Sequence, residues 1–344
     1  MRSRPFVYLG IGLVVFLLLV YLVDPSKIVA QASRIPPLSI AWFLASILIF
    51  HFLRSIRWRI ILGTIRKDPA LKNVFWTNMI GYAVNSFIPV RFGGEVARAY
   101  IIDAKEGIGF FPSLSSVAVE RILDLLAIVG IATLSILAYT SALGQASFIA
   151  ILIITGLLTA TMLAVLLIGS RNLPLTMKGL DWLLRKIPMK QGWRERTLGV
   201  IQSSLEGATA IGRDYKLLSL TLFLSILIWM ASFLGFYALF LGIGLNAPIA
   251  AILFGIMLFQ LSFILPSAPG NVGSFEGFLV LVFTGLGIGQ VDSTLAVAVV
   301  SHIVNLLTIG LLGIAGVGFL GLKFKDVFRL PTKNTKIPLE AQSA

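Results

Sequence analysis

Long apolar runs make up most of this chain and predict a bundle of membrane-spanning helices. Six runs are close to or longer than the ~20 residues that a helix needs to cross a bilayer. Two further apolar segments, 73–90 and 248–265, each lead into a proline, a glycine cluster and a glutamate. We therefore predict an all-α, polytopic integral membrane protein with about six full spans and two interrupted helices. The six runs are 5–23, 38–53, 111–140, 146–169, 217–241 and 294–321.

The first run has a second interpretation, as a cleaved signal peptide. Arg2 and Arg4 precede it, and the Ala-Gln-Ala sequence at 30–32 resembles a cleavage site. The apolar stretch at 6–23 is longer than the ~7–15 residues of a signal-peptide core, however. We therefore favour a membrane anchor.

The two interrupted helices share the same order of sequence features, in which an apolar run is followed by a proline, a glycine cluster and a glutamate. The first reads NSFIPVRFGGE at 85–95, and the second reads SFILPSAPGNVGSFE at 262–276. Lipid cannot pair the backbone groups that a break exposes, so breaks are tolerated where they line a cavity. Paired breaks in the two halves of a transporter mark a binding site near the bilayer midplane. The residues that break the helices are Pro89, Gly93, Gly94, Pro266, Pro269, Gly270 and Gly273.

Composition and charge placement agree with a membrane protein and exclude other classes. Apolar residues make up 57% of the chain and charged residues 12%, and the mean hydropathy is +0.95. The net charge of +13 could suggest nucleic acid as a partner. Lysine and arginine concentrate at 54–72, at 171–216 and after 322, as the positive-inside rule expects of cytoplasmic segments. We therefore predict no binding to nucleic acid.

The same rule fixes a predicted topology with both termini in the cytoplasm. If 73–90 crossed the membrane fully, the basic segment 171–216 would lie outside, against the rule. Two re-entrant hairpins remove the conflict: 73–106 enters from the cytoplasm and 248–289 enters from the other side. This arrangement is an inverted repeat within one transmembrane domain, 1–321, followed by a basic cytoplasmic tail, 322–344. The predicted location is the inner membrane of a prokaryotic cell.

The basic segment 171–216 also contains an amphipathic pattern. Five apolar residues recur there at helical spacing, with basic residues elsewhere around the helix. The pattern fits an interfacial helix on the cytoplasmic leaflet, or a short helix packed in a small cytoplasmic subdomain. The five residues are Met177, Leu180, Leu183, Leu184 and Ile187.

Seven ionisable residues are predicted at membrane depth. At ~2.5–3.5 kcal/mol each against lipid, they would together cost roughly 20 kcal/mol, more than a typical protein's stability of roughly 5–15 kcal/mol. They must therefore face one another or water. Ion pairs that lock helices together (Arg121 with Asp124, Arg98 with Glu95) are one interpretation, and a polar ligand path is the other. The seven are Arg91, Glu95, Arg98, Glu120, Arg121, Asp124 and Glu276.

Uncharged polar residues accompany these charges along the same helices. Asn85, Gln260 and Asn305 are predicted to support the site by hydrogen bonds, although interhelical bonding is the commoner role of such residues. His302 lies three residues before Asn305 on one helix face, so we interpret it as half of a packed polar pair in preference to a proton relay.

Three motifs in order resemble the flippase-like transmembrane family that includes the membrane domain of lysylphosphatidylglycerol synthases. They are NSFIPVRFGGEVARAY at 85–100, ERILD at 120–124 and PSAPGNVGSFE at 266–276. The resemblance covers nearly the whole chain. It implies a lipid-translocating fold with re-entrant helices, in which the seven ionisable residues line the lipid path. The soluble aminoacyl-transferase domain of those synthases has no counterpart in this sequence, so the resemblance does not assign aminoacyl transfer to this chain.

The predicted function is a membrane lipid translocase that moves a phosphate-bearing headgroup between the two breaks. The alternative is a membrane enzyme or enzyme subunit of polyprenyl-phosphate, glycolipid or aminoacyl-phospholipid metabolism. A scaffold for a partner synthase is a third interpretation. No cofactor is predicted, and a chain without cysteine and with only two distant histidines offers no pattern for a metal site. Membrane lipids are the expected partners, and the oligomeric state is not predicted.

Overall fold

The chain forms an all-helical bundle in the residues described by the computed structural model: 25–66, 68–87, 93–138, 177–179, 181–182, 198, 214–264 and 269–323. No strand occurs in these ranges, which confirms the predicted all-α class. The helices in these ranges include α1 Pro25–Ala32, α2 Pro37–Gly63, α3 Leu71–Phe87, α4 Gly93–Glu106, α5 Phe110–Leu137, α6 Tyr215–Gly242, α7 Ile249–Leu261, α8 Ser274–Gly285 and α9 Val291–Phe319.

Three of these helices, α2, α6 and α9, are long and apolar enough to cross a membrane. The helix α5 is of similar length, with 28 residues, but it carries three ionisable residues. The predicted spans 111–140, 217–241 and 294–321 correspond to α5, α6 and α9. The predicted spans 5–23 and 146–169 lie outside the described residues, as do nearly all of the amphipathic segment 171–216 and the tail.

The helix α2 is longer than the predicted span 38–53, and this difference matters for the site. It continues to Gly63, so Arg54 and Arg57 lie inside a helix and not in a basic connection. Both side chains are buried, and carboxylates on α5 compensate their charges. The prediction that every cation of 54–72 lies in a connecting segment was therefore wrong for these two residues.

The first interrupted segment folds into an antiparallel pair of helices, α3 and α4. Asn73 donates a hydrogen bond to Glu106 at the open end of the pair. Near the break, the backbones of Gly81 and Gly94 approach so closely that a Cβ on Gly94 would overlap the carbonyl oxygen of Gly81. Glycine at both positions lets the helices meet, as in other close helix pairs. Pro89 and Arg91 lie in the undescribed stretch between α3 and α4.

The second interrupted segment, α7 and α8, has the same form. Phe259 of α7 packs edge-on against Phe275 of α8, with ring centroids 4.9 Å apart. Between the helices, a short 3-10 turn at Pro269–Asn271 contains Gly270, and Gly273 precedes α8. Gly270 and Gly273 have φ values of 68° and 77°, a left-handed conformation that glycine adopts without strain. Pro266 lies outside the described residues.

The two interrupted segments touch each other at their breaks. The end of α3 packs against the Pro269–Asn271 turn, and a Cβ on Gly270 would lie 3.4 Å from the carbonyl oxygen of Ser86. The rest of α3 packs along a glycine face of α9 at Gly310, Gly313 and Gly316. The fold thus brings residues that are about 180 positions apart in sequence into one region.

Candidate functional site

A buried ionic cluster joins α2, α4 and α5 beside the first break. It contains four guanidinium groups and three carboxylates, and every carboxylate contacts at least one arginine. If all seven side chains are ionised, the cluster carries one positive charge in excess. Its members are Arg54, Arg57, Glu95, Arg98, Glu120, Arg121 and Asp124.

Asp124 and Glu120 form the core of the ionic cluster. They are four residues apart and therefore share one face of α5. One Asp124 oxygen accepts a hydrogen bond from Arg54 at 2.5 Å, and the other lies 2.8 Å from Arg57. Glu120 is bonded to Arg98 and lies 3.5 Å from Arg57. Arg57 thereby links the two carboxylates.

Aromatic and hydroxyl groups complete the surroundings of the arginines. The Arg98 guanidinium lies over the Trp58 ring, 4.1 Å from its centroid, an arrangement that favours the cation. Trp58 in turn donates its indole N–H to Ser116 at 2.8 Å. Arg57 donates to Ser225 on α6 at 2.7 Å, which ties the ionic cluster to a fourth helix.

Arg121 and Glu95 form the accessible edge of the ionic cluster. Arg121 donates a hydrogen bond to Glu95 at 2.7 Å, and its side chain is 44% exposed, whereas the core arginines are buried. Asn85 of α3 bonds the other Glu95 oxygen at 3.1 Å and accepts the Gly94 backbone N–H at 2.7 Å. The edge of the ionic cluster is therefore fixed directly to the start of α4, where the first break ends.

A second polar group lies at the other break. Glu276 accepts the Gly273 backbone N–H at 2.8 Å, so the carboxylate caps the start of α8. Its other oxygen lies 2.6 Å from His302 Nδ1. His302 Nε2 lies 2.7 Å from the carbonyl oxygen of Gly270. Glu276 and His302 are both buried, and together they hold the turn at the second break.

A cavity of about 180 Å³ lies between these two groups, and we call it the aromatic cavity. His51 and Tyr82, which line it, each have a buried polar atom without a hydrogen-bond partner among the described residues. Arg54 of the ionic cluster lies 5.4 Å from the Tyr82 ring centroid. The lining residues carry aromatic, amide and hydroxyl groups: Phe43, Ser46, Ile47, Phe50, His51, Tyr82, Ser232, Phe236, Phe259, Gln260, Phe263, Phe275, Asn305 and Ile309.

The structure brings six of the seven predicted ionisable residues to these two groups, but several pairings differ from the prediction. Arg98 bonds Glu120 and not Glu95. Arg121 reaches Asp124 only at 4.0 Å and bonds Glu95 instead. The reason is that partners on different helices approach more closely than neighbours on one helix. The seventh residue, Arg91, lies outside the described residues.

The predicted polar residues have distinct positions. Asn85 braces the first break, and Asn305 lines the aromatic cavity. Gln260 lines the cavity as well and donates to Ser232 of α6 at 2.8 Å. The two ring nitrogens of His302 contact Glu276 and Gly270, so neither nitrogen is left for a hydrogen bond with Asn305.

Two residues of the ionic cluster were missed by reasoning from the sequence. Arg54 and Arg57 are three residues apart, and they follow His51 and precede Trp58 without a helix breaker between them. Continuation of the helical pattern through Ile60, Ile61 and Leu62 could have revealed that both arginines share a helix face.

The helical bundle, with its buried ionic cluster and its two interrupted helix pairs, defines a polytopic membrane protein. The family model described as the lysylphosphatidylglycerol synthase TM region matches residues 7–322. The chain therefore belongs to this family, and the resemblance of its three motifs is confirmed.

Relatives of this chain include proteins with and without an enzyme name. A UPF0104 membrane protein of Methanothermobacter thermautotrophicus is 22% identical over 332 residues, which cover 93% of this chain and 97% of that protein. A UPF0104 membrane protein of Pyrococcus horikoshii is 25% identical over 312 residues, covering 87% and 91%. The glycosyltransferase AglD of Haloferax volcanii is 26% identical over 325 residues, covering 86% of this chain and 50% of AglD. No solved structure matches the chain.

Proposed function

We propose that this protein is a lipid translocase that moves a phosphate-bearing headgroup through the region between the two breaks. The observation that carries the proposal is the ionic cluster, with its excess positive charge and its exposed edge at Arg121. A buried excess charge is costly without a counter-ion. A lipid phosphate supplies that counter-ion, and arginine is suited to bind it through two oxygens.

The path of the headgroup follows from the placement of the two polar groups. The phosphate first contacts Arg121, and Arg91 in the adjoining break is expected to contribute a second guanidinium. The polar part of the headgroup then enters the aromatic cavity, where His51 and Asn305 offer hydrogen bonds. A cavity of about 180 Å³ is smaller than the ~300–1,000 Å³ of pockets for drug-sized ligands. It fits a headgroup whose acyl or prenyl chains stay in the bilayer.

Re-entrant helices would explain how such a path reaches the middle of the membrane. At 1.5 Å per residue, α3 and α4 are about 26 and 21 Å long, and α7 and α8 about 20 and 18 Å. Each is shorter than a hydrocarbon core of about 30 Å. We propose that each helix pair enters and leaves the membrane on a single side. The first pair does so from the cytoplasm and the second from outside, as an inverted repeat. The contact between Ser86 and Gly270 supports a meeting of their tips.

The function is tested by substituting the accessible arginine. Arg121→Ala should lower the translocation of a fluorescent phosphatidylglycerol in reconstituted vesicles by roughly 10- to 100-fold, the size expected for a lost charged hydrogen bond of ~1.5–3 kcal/mol. Arg121→Lys should give an intermediate rate, because lysine keeps the charge and loses the planar fork. We expect a similar loss for Arg91→Ala.

The matched control is Arg59→Ala. Arg59 is partly exposed near the end of α2 and lies 3.8 Å from the exposed Asp68, away from the ionic cluster. It should translocate lipid at the wild-type rate. Wild-type translocation by a folded Arg121→Ala protein would remove Arg121 from the path and contradict the proposal.

The alternative function, an enzyme or enzyme subunit in glycolipid metabolism, is favoured by the relative named glycosyltransferase AglD. The chain corresponds to half of that protein's length. The two functions differ in a direct assay. Turnover of a polyprenyl phosphate and a nucleotide sugar by the purified protein, without lipid movement in vesicles, would favour the alternative.

The proposed orientation has its own test, because the chain lacks native cysteine. Gln191→Cys should be protected from a membrane-impermeant maleimide in intact cells and become reactive after permeabilisation, since 171–216 is predicted to face the cytoplasm. A Pro248→Cys residue, directly before α7 of the second interrupted segment, should react with the maleimide from outside the cell. Labelling of Gln191→Cys in intact cells would contradict the topology.

A further inference from the structure

Both ring nitrogens of His302 lie within hydrogen-bond distance of an oxygen, one of Glu276 and one of the Gly270 backbone. The Gly270 carbonyl oxygen can only accept a hydrogen bond, so His302 Nε2 must carry a proton to make its 2.7 Å contact. The opposite ring nitrogen, Nδ1, lies 2.6 Å from Glu276. A bare nitrogen and an ionised carboxylate would repel each other at that distance. One more proton must therefore lie between them.

This proton completes a chain of contacts from α8 to the second break. With it, the pair is either an imidazolium with a carboxylate or a neutral imidazole with a carboxylic acid, and both forms carry no net charge. Glu276 accepts the Gly273 N–H at the same time. The Phe275 ring stacks flat on the imidazole, with centroids 4.3 Å apart, and keeps water from that face. Each polar atom of the pair thereby has a partner.

Removal of the proton must break one of these contacts. A neutral imidazole protonated on Nδ1 keeps Glu276 but turns a bare nitrogen toward the Gly270 carbonyl. A neutral imidazole protonated on Nε2 keeps Gly270 but turns a bare nitrogen toward the carboxylate. A buried and unsatisfied polar group is costly, so either form weakens the hydrogen bonds by which Glu276 and His302 hold the Pro269–Asn271 turn.

The hydrogen bonds of Glu276 and His302 lie where the two breaks meet. Gly270, which accepts from His302, also lies against α3, because a Cβ on Gly270 would be 3.4 Å from the Ser86 carbonyl oxygen. The described side chains of the helices that pack against α8 and α9, which are α1, α2, α3, α6 and α7, form no ion pair with Glu276 or His302. His51 and Tyr82 are the titratable side chains that line the aromatic cavity together with Phe275. Glu276 and His302 are thus each other's only charged partner within the described part of the chain. The hydrogen bond from His302 therefore ends on a residue that lies at the contact between the breaks.

We propose that Glu276 and His302 form a proton-binding site that closes the contact between the two breaks when loaded and opens it when empty. This inference rests on the proposed function, because it assigns the proton as the coupling ion for lipid movement. The proton is taken from water on one side of the membrane and returned to water on the other. A lipid that moves with one proton can reach about tenfold asymmetry for each pH unit across the membrane.

The proton site is tested without lipid movement, by nitrogen NMR of the imidazole. The chain has two histidines, so His51→Gln leaves His302 as the source of a single imidazole signal. We expect both ring nitrogens to report a bound or shared proton at low pH, and a transition to one bare nitrogen as pH rises. Adding Glu276→Gln should change the Nδ1 signal, because the carboxylate that faces this nitrogen is then absent. A bare Nδ1 from pH 5 to 9 would overturn the inference.

Opening of the contact is measured in the same pH range. Spin labels on Ser86→Cys and Asn271→Cys should give a short distance at low pH and a longer one above the NMR transition. His302→Gln, which cannot bind the proton, should give one distance distribution at every pH. A distance that is the same in the wild-type background at all pH values would overturn the link between the proton and the breaks.

Coupling is tested in vesicles that contain fluorescent phosphatidylglycerol, with the membrane potential clamped. A pH gradient should drive asymmetry of this lipid in wild-type protein, and His302→Gln should abolish it. Asp292→Asn, on the same helix as His302, should keep the response. Gradient-independent movement by the wild type would reject the coupling and leave the translocase proposal intact. No lipid movement under any condition would reject the translocase, whereas the NMR and distance results would still decide the proton site.

Discussion

Asp124→Asn should lower the free energy of unfolding by about 3–5 kcal/mol, the cost typical of removing one partner from a buried ion pair. Asp124 receives Arg54 on one oxygen and contacts Arg57 through the other. Asparagine keeps the shape but leaves both guanidinium groups short of a counter-charge in a cluster that is already positive. Unfolding in detergent micelles, followed by circular dichroism during denaturant titration, measures the loss.

The control for this substitution is Asp68→Asn. Asp68 is 93% exposed and lies 3.8 Å from Arg59, so its loss should change stability by less than ~1 kcal/mol. A second neutralisation should rescue part of the loss in Asp124→Asn, because Arg54→Met removes one of the stranded cations. Equal effects at Asp68 and Asp124 would show that the ionic cluster does not hold the helices together.

Gly94→Val should prevent α3 and α4 from packing at the first break and abolish lipid translocation. Any Cβ on Gly94 would overlap the Gly81 carbonyl and the Asn85 side chain. The milder Gly94→Ala should lower the free energy of unfolding by about 1–3 kcal/mol, as overpacking does. Both effects can be measured by thermal denaturation of the purified protein and by lipid movement in vesicles.

Gly130→Ala provides the comparison within a long helix. Gly130 lies inside α5, and a Cβ there would meet no atom of the described residues within 4 Å. Alanine should therefore leave stability unchanged or raise it by up to about 1 kcal/mol through its higher helix propensity. A destabilisation at Gly130 as large as that at Gly94 would indicate a general intolerance of substitution rather than a close contact at the break.

The sequence revealed the elements of this fold better than their contacts. Long apolar runs predicted α5, α6 and α9, and the order of proline, glycine and glutamate predicted both interrupted pairs. Helices that are apolar on all sides have no clear polar face, however, so the pattern does not say which face meets which neighbour. The burial of Arg54 and Arg57 depends on α5, which lies about 65 residues further along the chain.

The choice of partner for each charged side chain was the least predictable property of the candidate site. The sequence placed Arg98 near Glu95 and Arg121 near Asp124, because residues three or four apart on a helix are neighbours. In the fold, α5 lies against both α2 and α4. The charged groups of residues on different helices are closer together than those of neighbours on one helix, so the ion pairs form between helices. His302 likewise finds Glu276, which is 26 residues away. Such partners are set by how helices pack, and a single sequence does not encode that order in any local pattern.

The excess positive charge of the ionic cluster also determines how the membrane voltage would act on transport. A headgroup with one negative charge makes the occupied ionic cluster neutral, whereas the empty one keeps its charge. Moving one charge through the full membrane field involves about 2.3 kcal/mol per 100 mV. In the proposed cycle the unloaded Glu276 and His302 carry one negative charge that balances the charge of the empty ionic cluster, so voltage would leave the lipid-bearing step nearly insensitive and would act on the return step only when the proton site is still loaded.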